Sequence, residues 1–70
     1  MRPNALRAKI VENGMTVGDF CKTAGFVRST FDRKINGDSE FNRDELERIM
    51  VALNLSSDEM RSIFFADDVA

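Results

Sequence analysis

The stretch TVGDFCKTAGFVRSTFDRKING, residues 16–37, decides how this chain folds. Apolar or small residues recur in its first half at the spacing of one helix face, at Val17, Phe20, Cys21 and Ala24. Gly25 follows, and a glycine supplies the backbone freedom that a sharp corner needs. A second helix is predicted over Arg28–Ile35, with Asn36-Gly37 ending it. The stretch therefore predicts two short helices joined by a tight turn.

Helical signals also surround this stretch. Asn4 is predicted to cap a first helix, and Gly14 to close it. The inward residues of that helix are Leu6 and Ile10, with Val11 as a further candidate. Three later helix starts pair an N-cap residue with an acidic residue three positions on, which is the capping-box spacing: Thr16 with Asp19, Asn42 with Glu45, and Ser56 with Glu59.

The fourth and fifth predicted helices carry apolar stripes. The stripe of the fourth helix consists of Leu46, Ile49, Met50 and Leu53, and that of the last helix of Met60, Ile63 and Phe64. No segment alternates with the period of a strand, so the fold class is predicted as all-α. We expect one compact five-helix domain over residues 1–65, followed by a short acidic tail at residues 66–70.

Composition narrows the possible functions. The 70 residues suffice for one domain, and the single cysteine, Cys21, is interpreted as a small core residue. The chain has no histidine, so it lacks a Ser-His or Cys-His pair for nucleophilic catalysis and a second soft ligand for zinc. We therefore expect no enzymatic activity, no metal site and no cofactor. No membrane-spanning run or signal peptide is evident, which predicts a soluble, cytoplasmic protein.

Charge is distributed unevenly along the chain. Residues 1–34 contain seven basic and three acidic side chains, a net charge of +4, whereas residues 35–70 contain three basic and nine acidic ones, a net charge of −6. The asymmetry favours a basic face for a polyanion and an acidic face turned away from it. Uneven decoration of an ordinary surface is the alternative interpretation.

The predicted helix over residues 28–35 has one polar side. At about 100° per residue, a sector of about 140° contains Arg28, Ser29, Asp32, Arg33 and Asn36. Phe31 lies opposite this sector and Ile35 at its margin. Such a helix can pack on one side and enter the major groove of DNA, about 12 Å wide, with the other. An ordinary solvated amphipathic helix would show the same division.

The run from Thr16 to Gly37 resembles the repressor/Cro (XRE-type) helix-turn-helix family. The Gly25 corner, the apolar positions and the Asn36-Gly37 end fall in register with the pattern of that family. Phe41 and the stretch Asp44-Glu45-Leu46 are similar to a phage-borne subgroup of small regulators. The resemblance implies a lambda-repressor-like domain, with the helix-turn-helix at about residues 16–36. It also implies a sequence-specific DNA-binding regulator of Cro or repressor type.

The resemblance further implies roles for individual residues. The base-contacting positions are Arg28, Ser29, Asp32 and Arg33. Arg28 is the leading base reader, because arginine pairs well with guanine. The phosphate-contacting positions are Thr16, Thr30, Lys34, Asn36, Asn42 and Arg43. The implied partner is double-stranded DNA with a palindromic operator, bound by a homodimer; no membrane and no small-molecule ligand is expected.

The C-terminal run Ile63-Phe64-Phe65 permits two interpretations. In the first, Ile63 and Phe64 pack in the core and Phe65 is partly exposed. In the second, the run forms the dimer contact by which this family spans two half-sites about 34 Å apart.

Several residues depart from the family pattern. Val17 replaces a frequent glutamine, and Val27 replaces the serine that usually caps the helix predicted over residues 28–35. Lys34 stands at a position that is often apolar, where its stem can pack while its ammonium reaches out. Acidic side chains also stand where they oppose phosphate binding, at Asp32, Asp38 and Glu40. These acids support the alternative function, a protein-interaction module on the same fold that binds another regulator.

Overall fold

The computed structural model describes residues 2–65, which form five helices. They are α1 (Pro3–Glu12), α2 (Val17–Ala24), α3 (Arg28–Ile35), α4 (Arg43–Leu53) and α5 (Ser57–Phe64). No strand occurs within residues 2–65, and the all-α prediction is confirmed. None of these helices is long and apolar enough to cross a bilayer. The predicted acidic tail, residues 66–70, lies outside the described residues.

Capping boxes begin α2, α4 and α5. The side chains of Thr16, Asn42 and Ser56 each accept a hydrogen bond from the N–H three residues on, and the acidic side chain there accepts one in return. Each box satisfies backbone N–H groups that have no partner inside the helix. The capping boxes predicted at these three starts are confirmed.

The start of α1 differs from the prediction. Arg2 is the N-cap, Pro3 occupies the first helical position, and Asn4 lies inside the helix. Proline favours that position because its φ is already helical and its missing N–H would have no partner there. The prediction that Asn4 caps α1 is therefore wrong. Val11 is also not a core residue: it is 69% exposed, because one step beyond buried Ile10 turns its side chain about 100° towards solvent.

The core is centred on two phenylalanines. Phe20 of α2 and Phe31 of α3 are both 0% exposed, and their ring centroids lie 5.4 Å apart. Three further rings extend this cluster, those of Phe26, Phe41 and Phe64. Large aliphatic side chains that are fully buried complete it, including Leu6, Ile10, Ile35 and Ile49. Because aromatic burial dominates core energetics, this cluster fixes how α3 sits on α2.

The C-terminal end of α5 packs against the beginning of the chain. The N–H of Arg2 donates to the carbonyl of Ile63 at 2.8 Å. Ile63 is 3% exposed, Phe64 is partly buried against the core, and Phe65 is 43% exposed. Ile63 is thus a core residue, and its side chain is closed to solvent. The accessible side chains of the run are those of Phe65 and, in part, Phe64.

Candidate nucleic-acid interface

Gly25 forms the turn between α2 and α3. Its φ is +79°, in the left-handed region that favours glycine. The N–H of the following residue, Phe26, donates to the carbonyl of Cys21 at 2.8 Å. Cys21 is 3% exposed, and burial raises the pKa of its thiol. The predicted corner at Gly25 is confirmed, as is the interpretation of Cys21 as a core residue.

Arg48 of α4 holds this turn, a role that the sequence analysis missed. Its Nη1 donates to the carbonyls of Ala24 at 3.3 Å and Gly25 at 3.0 Å. Its guanidinium also lies over the ring of Phe26, 4.7 Å from the centroid. Arg48 thus brings donors and a positive charge to the carbonyl end of α2. These contacts join residues 23 and 24 positions apart, so no local pattern reveals them.

The polar side of α3 is open to solvent, as its periodicity predicts. Its exposed residues include Arg28, Ser29, Arg33 and Asn36. The side chain of Asp32 lies on the same side and is 47% exposed. Phe31, opposite these residues, and Ile35, at their margin, are 0% and 1% exposed. The structure therefore brings the four predicted base-contacting residues together on one accessible surface, which we call the α3 face (Arg28, Ser29, Asp32, Arg33).

Arg28 is held by an ion pair on the α3 face. Its Nε lies 3.2 Å from Oδ1 of Asp32, one turn later in the helix. A Cβ at Gly18 would lie 3.7 Å from Nη1 of Arg28, so the guanidinium sits beside the first turn of α2. The ion pair with Asp32 uses only the Nε of Arg28, whose side chain is 58% exposed. Its terminal amino groups remain as hydrogen-bond donors. Bidentate contact with a guanine needs two such N–H donors.

Lys34 turns inward, contrary to the prediction that its ammonium reaches out. Its Nζ lies 2.6 Å from Oε2 of Glu45 and 5.9 Å from the ring centroid of Phe41. The two charged side chains are only 13% and 9% exposed. A buried ammonium needs a counter-charge, and the first turn of α4 provides one within reach. Lys34 therefore links α3 to α4 and does not present its charge to solvent.

Glu45 accepts hydrogen bonds from α3 and from the N-cap of its own helix, α4. Besides Lys34, the N–H of Asn42 donates to its Oε1 at 2.9 Å, and Nη2 of Arg48 lies 3.9 Å from its Oε2. Burial raises the pKa of the carboxyl, but the hydrogen bonds from Lys34 and Asn42 and the two nearby positive charges outweigh it. The pKa of Glu45 is consequently below its ordinary value of 4.5.

Two of the predicted phosphate-contacting residues are engaged as helix caps. Oγ1 of Thr16 accepts from the N–H of Asp19 at 3.1 Å, and Oδ1 of Asn42 accepts from the N–H of Glu45 at 2.8 Å. The hydroxyl hydrogen of Thr16 and the amide hydrogens of Asn42 stay available as donors, because these caps use only acceptor oxygens. Capping and phosphate contact are therefore compatible at both positions.

The remaining predicted phosphate-contacting residues are exposed. Thr30 lies on α3 and Asn36 at its C-terminal end. Arg43 begins α4 next to Asn42, and its side chain is 95% exposed, with Nε 3.8 Å from Oε1 of Glu47. The exposed residues predicted to contact phosphate thus lie at the start of α2, along α3 and at the start of α4. Lys34 is not exposed with them, because its ammonium is paired with Glu45.

An apolar groove lies between α4 and α5, and Phe65 is one of its lining residues. Its apolar lining comes from Leu46, Met50, Met60 and Phe65, and its polar lining includes Arg43, Glu47 and Arg61. The groove has a volume of about 260 Å³. The groove borders the exposed Phe65 side chain, which the sequence analysis interprets either as a partly exposed neighbour of the core or as a dimer contact.

Comparison with known proteins adds one finding. A family model described as a Cro/C1-type HTH DNA-binding domain matches residues 5–61. This range contains all of α2, α3 and α4 and most of α1 and α5. No significant match was found among curated proteins or solved structures. The matched range agrees with the helix-turn-helix inferred from the Gly25 corner and the open side of α3.

Proposed function

We propose that this chain, which belongs to the Cro/C1-type helix-turn-helix DNA-binding family, is a sequence-specific transcriptional regulator that inserts α3 into the major groove. The main support for this proposal is that the side chains of the α3 face are accessible, while Phe31 and Ile35 of the same helix are buried in the core. Members of this family are generally not enzymes. From the resemblance to phage-borne regulators, we further propose that the chain is a phage or prophage repressor.

Arg28 is the main base reader in this proposal. Its position at the first residue of α3 suits the rule that the N-terminal residues of a recognition helix contact base edges. Asp32 orients the guanidinium through Nε and leaves the terminal amino groups for O6 and N7 of a guanine. Ser29 and Arg33 lie on the same face and contact neighbouring positions.

Contacts to phosphates fix the register of α3 in the groove. The residues proposed for this role are exposed on α3 or at the start of a helix that contacts α3: Thr16, Thr30, Asn36, Asn42 and Arg43. The N–H groups in the first turn of α4 support it, since a helix N-terminus attracts anions. Lys34 is left out of this set because its ammonium is paired with Glu45.

The regulator is proposed to act in the cytoplasm as a homodimer on a palindromic operator. A dimer presents two copies of α3 to half-sites one helical turn apart, about 34 Å. Exposed Phe65 and the adjoining groove between α4 and α5 support this arrangement, since an aromatic ring seated in an apolar pocket is typical of an interface anchor.

Selection from a random pool of double-stranded DNA tests the proposed function. We expect the full chain to enrich a defined sequence with two related half-sites. Its binding constant should fall as salt rises, with log K decreasing by about 0.9 per phosphate contact for each unit of log salt. Failure to enrich any sequence at low salt would contradict the proposal.

A protein-interaction module on the same fold is the second candidate function. It is favoured by the exposed acids Asp38 and Glu40, which lie in the loop between α3 and α4 beside the proposed phosphate contacts. Retention on heparin at low salt discriminates the two functions. A DNA-binding chain is retained through its basic N-terminal half, whereas an acidic interaction module passes through.

A further inference from the structure

We propose that Val27 contacts the C5-methyl group of a thymine next to the base pair read by Arg28. This inference rests on the proposed function, and it adds a second specificity-determining residue of different chemistry. Val27 immediately precedes α3 and is therefore at the end of the helix that reaches base edges.

Within residues 2–65, the side chain of Val27 is not among those that pack against the hydrophobic core. It is 67% exposed, whereas its neighbour Phe26 is packed against the core. A single exposed valine is ordinary on a protein surface. Val27 differs from other exposed valines in its position, because it lies beside Arg28 at the end of the α3 face that is proposed to contact DNA bases.

Val27 also occupies a position where a polar residue would serve the free protein better. The N-cap residues of α2, α4 and α5 are Thr16, Asn42 and Ser56, and each makes a capping box. Within the described residues, Val27 gives α3 no side-chain hydrogen bond, although it has the extended backbone typical of an N-cap. Valine at this position therefore lacks the stabilising cap that the same backbone geometry would allow.

The major groove offers one apolar group among its donors and acceptors, the methyl group of thymine. A branched aliphatic side chain can cover that methyl group and exclude water from both surfaces. An arginine that reads guanine and a valine that covers a neighbouring thymine methyl would together define two adjacent base pairs.

Replacing thymine by deoxyuridine isolates this contact, because it removes the methyl group and keeps the base pair. The experiment uses the full chain and the site enriched from the random pool, with each thymine replaced in turn. At one thymine next to the guanine that responds to Arg28→Ala, we expect deoxyuridine to weaken wild-type binding about fourfold, the effect of one buried methyl group. The variant Val27→Ser should bind both sites equally.

Matched controls separate this contact from a change in folding. Val51→Ser makes the same substitution at an 81% exposed valine of α4 and should keep the fourfold discrimination. Val27→Ser should unfold at the same temperature as wild type or higher, because serine can supply the missing cap. If wild type shows no preference for thymine at any position, or Val27→Ser shows the same preference as wild type, the inference is overturned while the proposed function stands. If the pool selection enriches no DNA, both are overturned.

Discussion

Lys34 and Glu45 join the last turn of α3 to the first turn of α4 through an ion pair that is nearly closed to solvent, with Nζ 2.6 Å from Oε2. The link determines where the C-terminal end of α3 lies. Arg48 performs the corresponding task at the other end, since it binds the carbonyls of the turn that leads into α3. The α3 face is therefore held at both ends by residues of α4.

Removal of the Lys34 ammonium should destabilise the domain strongly. In Lys34→Met, the carboxylate of Glu45 stays buried without its cation, and we expect the free energy of unfolding to fall by about 3 kcal/mol. The double variant Lys34→Met/Glu45→Gln should recover part of this loss, because a neutral amide costs less to bury and can still accept from the Asn42 N–H. Urea unfolding measures both.

The exposed pair of Arg43 and Glu47 provides the control for this prediction. Their side chains are 95% and 67% exposed, so Arg43→Met should change the free energy of unfolding by less than about 0.5 kcal/mol. Equal effects of Lys34→Met and Arg43→Met would show that the Lys34–Glu45 pair contributes no more than a surface pair.

Stability should fall in acid because two carboxyls have lowered pKa values in the folded state. At Glu45 the effect of burial is outweighed by the hydrogen bonds from Lys34 and the Asn42 N–H. At Glu59 the main cause of the lowered pKa is the hydrogen bond from Lys9, followed by the one from the Ser56 N–H. The unfolded chain binds more protons below its ordinary carboxyl pKa of 4.5, so the stabilisation is present above that pH and is lost as the pH falls through the folded pKa values.

The measurement for this prediction is the urea midpoint between pH 6 and pH 3. Wild type should be stable and nearly pH-independent at the upper end and should lose stability below about pH 4.5. Lys34→Met/Glu45→Gln should show a shallower decline, since it lacks the Glu45 carboxyl. Parallel profiles for the two proteins would exclude a lowered pKa at Glu45.

Substitution of Gly25 should be more harmful than substitution of a comparable glycine. Gly14 and Gly25 have φ values of +73° and +79°, so an alanine at either position costs about 1 kcal/mol of backbone strain. At Gly14 nothing lies within 4 Å of the added Cβ, whereas at Gly25 Nη1 of Arg48 lies 3.1 Å away.

We therefore expect Gly25→Ala to lower the free energy of unfolding by about 1 kcal/mol more than Gly14→Ala, the value of a displaced hydrogen bond. The excess should disappear in an Arg48→Ala background, where no guanidinium has to move. Thermal or urea unfolding of the four variants gives this comparison. An excess that persists without Arg48 would assign it to another cause.

These results mark what the sequence can predict and what it cannot. The N-caps Thr16, Asn42 and Ser56 were predictable because a capping box involves residues three positions apart. The bounds of α3 and its buried and exposed sides followed from periodicity, and the structure has the same bounds, Arg28–Ile35.

The inward turn of Lys34 and the role of Arg48 were not predictable in this way. Each depends on a partner that tertiary packing brings near, 11 residues away for Lys34 and up to 24 for Arg48. Lysine usually extends its ammonium to solvent, and only the position of Glu45 on the neighbouring helix overrides that tendency. At α1, the preference of Pro3 for the first helical position overrides the capping tendency of Asn4.

Asp32 should increase sequence preference at the expense of overall affinity. Its carboxylate opposes phosphates but also holds Nε of Arg28 at 3.2 Å. We expect Asp32→Asn to bind random DNA a few times more tightly at low salt and to lose part of its preference for the enriched site. Asp58→Asn, an isosteric change on α5, should alter neither quantity. An unchanged ratio of specific to random binding in Asp32→Asn would refute this role.

The role of the α3 face is tested most directly by the base preference at each position of the enriched site, measured for wild type and Arg28→Ala. Arg7→Ala serves as the charge-matched control on α1, because Arg7 is exposed and lies outside both the α3 face and the groove between α4 and α5. We expect Arg28→Ala to lose about 1–3 kcal/mol of binding free energy and its preference at one G·C pair, while Arg7→Ala keeps that preference. Arg28→Ala that binds the same site as tightly and as selectively as wild type would contradict the claim that the α3 face reads DNA.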